Sequence, residues 1–276
     1  MNSAIFTLNI ARDLASMLQY DFMRHAFEAG TIVAIIAGII GYFVVLRKSS
    51  FAAHALSHIG FAGAAGAVLA GINPLFGLFA FTMTGGAFIA TLGKRAATRD
   101  VEIGVVLAFM LGLGVLFISL YTGYATEAYS LLFGEILGIS ISDVWVTLIA
   151  GVLIFSVVAV MYRPLLFTSL DEDVALAKGV PVFIVGLVFM FLVAAATSIA
   201  VQVVGVLLIF ALMVAPAATA GRLARRPMRG IAISVSIALL ATWLGLFMSF
   251  YLPYPLSFFI TSITFGIYIL VRLIKR

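Results

Sequence analysis

Two histidines, His54 and His58, stand four residues apart in the stretch SSFAAHALSHIGFAGAAGA at residues 49–67. That spacing projects both imidazoles from one face of a helix. Paired imidazoles offer two neutral nitrogen ligands, a donor set that suits zinc, copper, nickel and iron. The surrounding residues are apolar or small, so the helix that carries the pair belongs in a bilayer. From a start near residue 50, His58 lies about 12 Å along that helix at about 1.5 Å per residue. Ionisable groups at such depth face a cavity or a partner and mark an ion route. The structural alternative is that Ser57 and backbone carbonyls hydrogen-bond both rings. Pairing and depth favour the functional reading. HALSH is not a zinc-peptidase motif, because Ala55 stands where such a motif carries its glutamate general base. The third histidine, His25, reads as a residue of the outer membrane surface.

The elements that must position the pair follow from composition. The chain is 64% hydrophobic and 10% charged, against about half and a quarter in a soluble domain. No soluble fold of this length hides so much apolar surface, so the chain is an all-α polytopic membrane protein. The net charge of +5 does not point to nucleic acid, since the basic residues sit in short loops that set topology. The absence of cysteine excludes disulfides and thiolate metal sites. The first 25 residues lack the charged start, apolar core and cleavage site of a signal peptide. Residues 1–26 therefore read as an N-terminal extracytoplasmic or interfacial segment, and 27–276 as the transmembrane domain.

Basic clusters divide the chain into regular intervals: Arg47/Lys48, Lys94/Arg95/Arg99, Arg163 with Lys178, Arg222 to Arg229, and Arg272 to Arg276. Each interval is long enough for two spans of about 20 residues. Each holds a turn without Lys or Arg: GINP at 71–74, YTGYATEAYS from 121, SIAVQ at 198–202, YLPYP at 251–255. Every interval is thus a helical hairpin returning to the basic, cytoplasmic side. The predicted spans are 27–46, 51–70, 75–92, 103–121, 143–162, 181–198, 203–220, 231–250 and 256–272. They give nine crossings, or eight if one segment is re-entrant, with the N-terminus outside. EAYSLLFGEILGIS at 127–140 is too short to cross and reads as an external or re-entrant amphipathic helix. Gly60, Gly63 and Gly66 predict close helix packing in the second span.

Two further stretches are candidates. RPLLFTSLDEDVALAKGVP at 163–181 is the longest polar interruption on the cytoplasmic side. Thr168 or Ser169 is a suitable cap for a short helix with Asp171, Glu172 and Asp173 in its first turn. Lys178 and Gly179 suit its end, and Pro181 starts the next span. It is either a solvated loop helix or a projection that docks another protein. In QVVGVLLIFALMVAPAATA, Gln202 stands at a predicted tight outer turn. Pro216 lies inside an apolar helix, where it removes a backbone hydrogen bond that neighbouring helices and Thr219 can replace. It is either a gate hinge or a packing bend. No nucleotide site is present: GKR at 93–95 lacks the glycine spacing and the Ser/Thr of a phosphate loop.

Taken in order, HALSHIGFAGAAGA after LRKSS, then SLDEDVALAKGV, then QVVGVLLIFALMVAPAATA resemble the permease family of zinc/manganese ABC importers. The resemblance runs from about residue 20 to the C-terminus. It implies a type II-like homodimeric permease of the bacterial cytoplasmic (inner) membrane. Two copies of a separate ATPase attach below, and an extracytoplasmic metal-binding protein delivers the ion from above. The chain would then be a transporter subunit, not an enzyme, with no permanent cofactor and no nucleic-acid partner. Its cargo would be Zn2+, Mn2+ or Fe2+. Leu170, Asp171, Glu172, Asp173, Val174, Ala175, Leu176 and Ala177, within segment 163–180, resemble the family's ATPase-coupling helix. VAPAATA, with Pro216, resembles its kinked inner helix, and Gln202 and Pro216 would serve gating. The family's span two begins with a pattern like G-D-A-x-S-H, whose aspartate and histidine are regarded as metal ligands. The histidine falls on His58, the aspartate position on His54 and the glycine on Ala53. One negative charge thus leaves the site. Nitrogen ligands favour zinc where oxygen suits manganese, so zinc is the expected cargo, with copper or nickel as competitors. Uptake should weaken in mildly acid medium, because protonated imidazole cannot bind metal.

Other classes fit less well. A secondary metal transporter or channel without an ATPase would need buried carboxylates, but Glu102 and Asp143 fall at span ends and Glu28 near an outer end. An intramembrane metalloenzyme would need an acid or base beside the histidines, and none is near in sequence.

Overall fold

The computed structural model describes residues 15–92, 96–121 and 138–275; the side chains of 96–99 and 207 are outside the description. Ten helices make up the described part: α1 (Asp21–Leu46), α2 (Ser50–Leu69), α3 (Pro74–Thr91), α4 (Ala96–Leu120), α5 (Ile141–Leu170), α6 (Glu172–Ala177), α7 (Val182–Val204), α8 (Val206–Leu223), α9 (Pro227–Tyr251) and α10 (Leu256–Ile274). Helices satisfy every backbone group within one segment, which is what a bilayer demands of a lone strand of chain. Eight of the described helices are long and apolar enough to cross. The expected segment 127–140 falls mostly on residues 122–137, outside the description, as do residues 1–14 of the N-terminal segment.

The helix starts are written locally. Asn73 accepts a hydrogen bond from the Leu75 amide at 2.9 Å, with Pro74 at the first position of α3. Ser140 and Asp143 form a reciprocal capping box at the start of α5. At the outer surface the His25 ring bonds the Ile139 carbonyl at 3.0 Å, tying α1 to the entrance of α5. His25 is therefore a structural tie at the interface.

α2 packs mainly against α3 and α4, while α8, α9 and α10 form a second group; α1 and α7 join the two. Gly63 of α2 lies directly on the Gly77 carbonyl and on Phe81, so the two backbones touch and no Cβ fits between them. The small-residue pattern thus sets the distance between α2 and α3 as expected.

Several helices extend beyond the predicted spans, and three differences bear on the site. α1 begins at Asp21, so the residues before 27 already belong to it. α5 runs through Arg163 and Pro164 to Leu170. Its 30 residues amount to about 45 Å, longer than a hydrocarbon core of about 30 Å, so the helix projects beyond such a core. Pro164 frees the carbonyl of Val160, which is 84% exposed, and a helix tolerates that loss where other groups can bond it. The proline therefore does not end the helix.

The third difference is the hairpin of α7 and α8. SIAVQ at 198–202 is helical, and the reversal falls on Gly205, with φ 83° and ψ 163°. Only glycine adopts that conformation freely. Gly205 and its neighbours Val203, Val204 and Val206 are buried, so neighbouring helices enclose the turn. Gly41 of α1 lies against the backbone of Met213, which packs α8 tightly on α1. α8 itself has 18 residues, the length of α3, so it stands beside the eight candidate spans as the ninth helix of the predicted series.

Candidate functional site

From Ala52 to Ala65, every residue of α2 is buried except His54 and His58, which are half-buried. The pair thus occupies the one open strip of an otherwise enclosed helix. Their ring centroids are 4.7 Å apart and the rings nearly perpendicular, at 86°. A ring nitrogen about 2 Å from an ion puts each centroid about 3 Å from it, so both rings can reach one ion. Among the described residues, four buried polar side-chain atoms lack a hydrogen-bond partner: Nδ1 of His54, Nδ1 of His58, and the hydroxyls of Thr197 and Thr242. Ser57, the expected structural partner, instead donates to the Ala53 carbonyl at 3.2 Å. The structural alternative for the pair therefore fails at both Nδ1 atoms. A buried polar atom left without a partner costs about 1–3 kcal/mol, and a passing ligand removes that cost. No group of three or more His, Asp or Glu residues that could cage an ion occurs among the described residues. Two imidazoles alone are a donor set for weak, transient binding, the affinity that conduction requires.

The open strip leads to α8. The Phe210 ring packs on His54 at 4.7 Å between centroids. Phe210 also lines a groove of about 600 Å³ between α8 and α10, where Thr261, Ser262, Thr264 and Tyr268 supply hydroxyls. Sequence reading missed this wall, because α2, α8 and α10 are distant in the chain and Phe210 is one apolar residue within QVVGVLLIFALMVAPAATA.

Pro216 lies inside α8, two turns beyond Phe210. It takes the amide partner from the carbonyl of Leu212, a fully buried residue. Thr219 does not repair that loss, because its hydroxyl donates to the Ala215 carbonyl at 2.8 Å. Gln202 is not at a turn. It sits in the last helical turn of α7, and its Nε2 donates to Oδ1 of Asp143 at 2.8 Å. Gln202 thus joins the outer end of α7 to the cap of α5. The structure does not bring it into contact with Pro216 through any such bond.

The short helix expected over 170–177 is present and is shorter than expected. Leu170 ends α5, Asp171 is the N-cap, and the helix itself is Glu172–Ala177. Asp171, not Thr168 or Ser169, provides the cap, accepting from the Val174 amide at 2.9 Å. Thr168 and Ser169 remain in α5, where their hydroxyls bond carbonyls within the helix. The acidic first turn and the turn at Gly179, with φ +79°, are as predicted. Ala175 is buried, while Leu170, Val174 and Leu176 are exposed apolar residues beside Asp171, Glu172 and Asp173. A groove lined by Pro164, Phe167, Leu170 and Val180 adjoins them.

The sequence and fold are similar to those of several metal transport proteins. The manganese transport system membrane protein MntC of Listeria innocua is 31% identical over 238 residues, covering 86% of this chain and 85% of that protein. The manganese import system permease protein ScaB of Streptococcus parasanguinis is 32% identical over 87% of this chain and 86% of its own length. The solved structure of PsaBC from Streptococcus pneumoniae in complex with Fab superposes with a TM-score of 0.85 at 29% identity, over 95% of each chain. The ABC 3 transport family matches residues 19–275. The chain therefore belongs to the ABC 3 transport family, as a multi-pass permease of a metal ABC importer in the bacterial cytoplasmic membrane.

Proposed function

We propose that His54 and His58 are transient ligands for a divalent transition-metal ion on its inward path, and that zinc is the preferred cargo. The carrying observation is the pair of buried Nδ1 atoms without partners on the single open strip of α2. A purely nitrogen donor set favours zinc over manganese. A second reading, manganese, is supported by the names of relatives about one-third identical over most of the chain. A second permease copy completes the path, and an extracytoplasmic binding protein loads it. Two ATPase subunits dock on the cytoplasmic side, where the exposed Leu170, Val174 and Leu176 with the acidic turn of α6 form the contact. Exposed apolar residues outside the membrane are the mark of such an interface. Movement of α6 then changes access through α7 and α8, with Gln202 and Pro216 at the two ends of the moving hairpin.

The test is ATP-driven uptake of zinc and manganese, measured side by side in vesicles holding the assembled complex. Faster zinc uptake, lost in His54→Ala and His58→Ala, is the expected result. Manganese uptake that outpaces zinc transfers the cargo to the second reading. Normal uptake of both ions by both variants removes the ligand assignment.

A further inference from the structure

Arg47 follows the last residue of α1 and lies three residues before α2. Its side chain is only 9% exposed, an unusual depth for a loop arginine. The guanidinium reaches three other helices. Nη1 donates to Oγ1 of Thr168, in the last turn of α5, at 2.7 Å. Nη2 lies 3.6 Å from Oε1 of Glu172, the first residue of α6. The guanidinium carbon sits 5.1 Å from the centre of the Phe189 ring in α7, and Phe189 is fully buried. Only arginine's planar fork can bond a hydroxyl, pair a carboxylate and stack on an aromatic ring at once.

The other side of Arg47 is the start of the histidine helix. Lys48 has φ +53°, a conformation rare outside glycine. Ser49, buried, donates to the Arg47 carbonyl at 3.2 Å. The Ala53 amide bonds the Ser49 carbonyl at 3.0 Å, which places His54 one residue beyond a rigid connection. Glu172 is half exposed, with side-chain exposure of 49%, so its ion pair alone is weak. Thr168 and Phe189 are the buried contacts that hold the arginine in place.

We propose that Arg47 is a positioning residue that transmits displacement of α6 to the histidine strip of α2. The proposal rests on α6 as the ATPase contact and on His54 and His58 as the ion ligands. Movement of Glu172 pulls on a guanidinium already fixed to α5 and α7. The stiff 47–50 connector carries that pull into the first turn of α2.

The test uses the complete complex of permease, ATPase and binding protein in vesicles, with Zn2+ and Mn2+ as probes. Ions moved and ATP hydrolysed are counted together. Arg47→Gln should assemble and hydrolyse ATP while moving about fivefold fewer ions per ATP, or fewer still, the usual scale of a coupling between sites. Arg47→Lys keeps the charge without the fork and should recover only part of the ratio. A second readout does not depend on the cargo. The chain has no cysteine, so Phe51→Cys, at an exposed position in the first turn of α2, takes a single spin label when its partners are also cysteine-free. ATP trapped with vanadate should change the label's spectrum in the parent chain, and Arg47→Gln should abolish the change. A wild-type ratio of ions to ATP in both variants, or an unaltered label response, overturns the proposal. If Arg47→Gln fails to assemble, Arg47→Lys decides by the same two criteria. If the parent complex moves neither ion, the cargo reading fails, and the label response still decides the role of Arg47.

Discussion

Arg47 and the histidine pair are polar sites a few residues apart in the chain, and they are treated in opposite ways. Around Arg47 the charged group is met by a hydroxyl, a carboxylate and an aromatic face. Around His54 and His58, two buried ring nitrogens are left with nothing, in a strip that opens beside Phe210. A satisfied polar group in a protein interior fixes geometry, whereas an unsatisfied one is a standing cost that a ligand relieves. The first arrangement suits a mechanical joint and the second a site that ions visit. The difference also explains why the two can be neighbours: the joint must be near the site it positions.

The contrast can be broken by substitution. The largest effect is expected from replacing both histidines by alanine, which should reduce metal uptake by more than the about 10–100-fold loss caused by removing an outer-shell partner of a metal ligand. Ion flux measured across the pH range adds a second check, because protonation removes the metal-binding lone pair; uptake should fall as the medium is acidified, and a flat profile would count against imidazole ligation. Next comes the acidic turn. Neutralising Asp171, Glu172 and Asp173 together should abolish stimulation of the ATPase by the permease, measured as hydrolysis with and without the membrane subunit; unchanged stimulation removes α6 from the contact.

Stability gives the sharper version of the comparison. Thr168→Val takes the buried acceptor from Arg47 and should lower stability by about 1–3 kcal/mol, read as an earlier thermal unfolding midpoint in detergent. His54→Leu removes an unsatisfied nitrogen and should raise the midpoint, by about 1 kcal/mol of stability, while transport falls. Opposite signs in the two variants are the expectation, and equal signs would sink the distinction between a satisfied and an unsatisfied site. The smallest effect is Ser49→Ala, which deletes one hydrogen bond to the connector and should cost about 0.5–1.5 kcal/mol in the same measurement.

Much of this was legible in the chain. His54 and His58 announce themselves by spacing in an apolar context, and the DEDVALAKG segment by an acidic turn followed by a glycine stop. The cap of α6 was misplaced because Thr168, Ser169 and Asp171 are all capping residues; which one caps depends on where α5 ends. The predicted span stops at 162, yet α5 continues through Pro164 to Leu170, because one missing amide leaves the rest of the helix ladder intact. The turn between α7 and α8 was misplaced for a related reason. Gln202 looks like a turn residue because it is polar, yet it stays helical and the chain reverses only at Gly205, where glycine alone adopts a φ of 83° freely.

Composition and the spacing of basic clusters by themselves determined a polytopic helical membrane protein with a histidine pair in its second span, and the ordered motifs added the resemblance to a metal-importer permease. The first properties depend on which residues are apolar and how often charges recur, and a linear chain carries both. Only the tertiary structure decided that the Nδ1 atoms of the pair lack hydrogen-bond partners, that Phe210 of α8 stands beside it and that the turn into α8 falls on the buried Gly205. It also decided that Arg47 gathers α5, α6 and α7 at the foot of α2. Whether a polar atom is satisfied depends on what packs against it from distant segments, and no local pattern around HALSH or LRKSS encodes that.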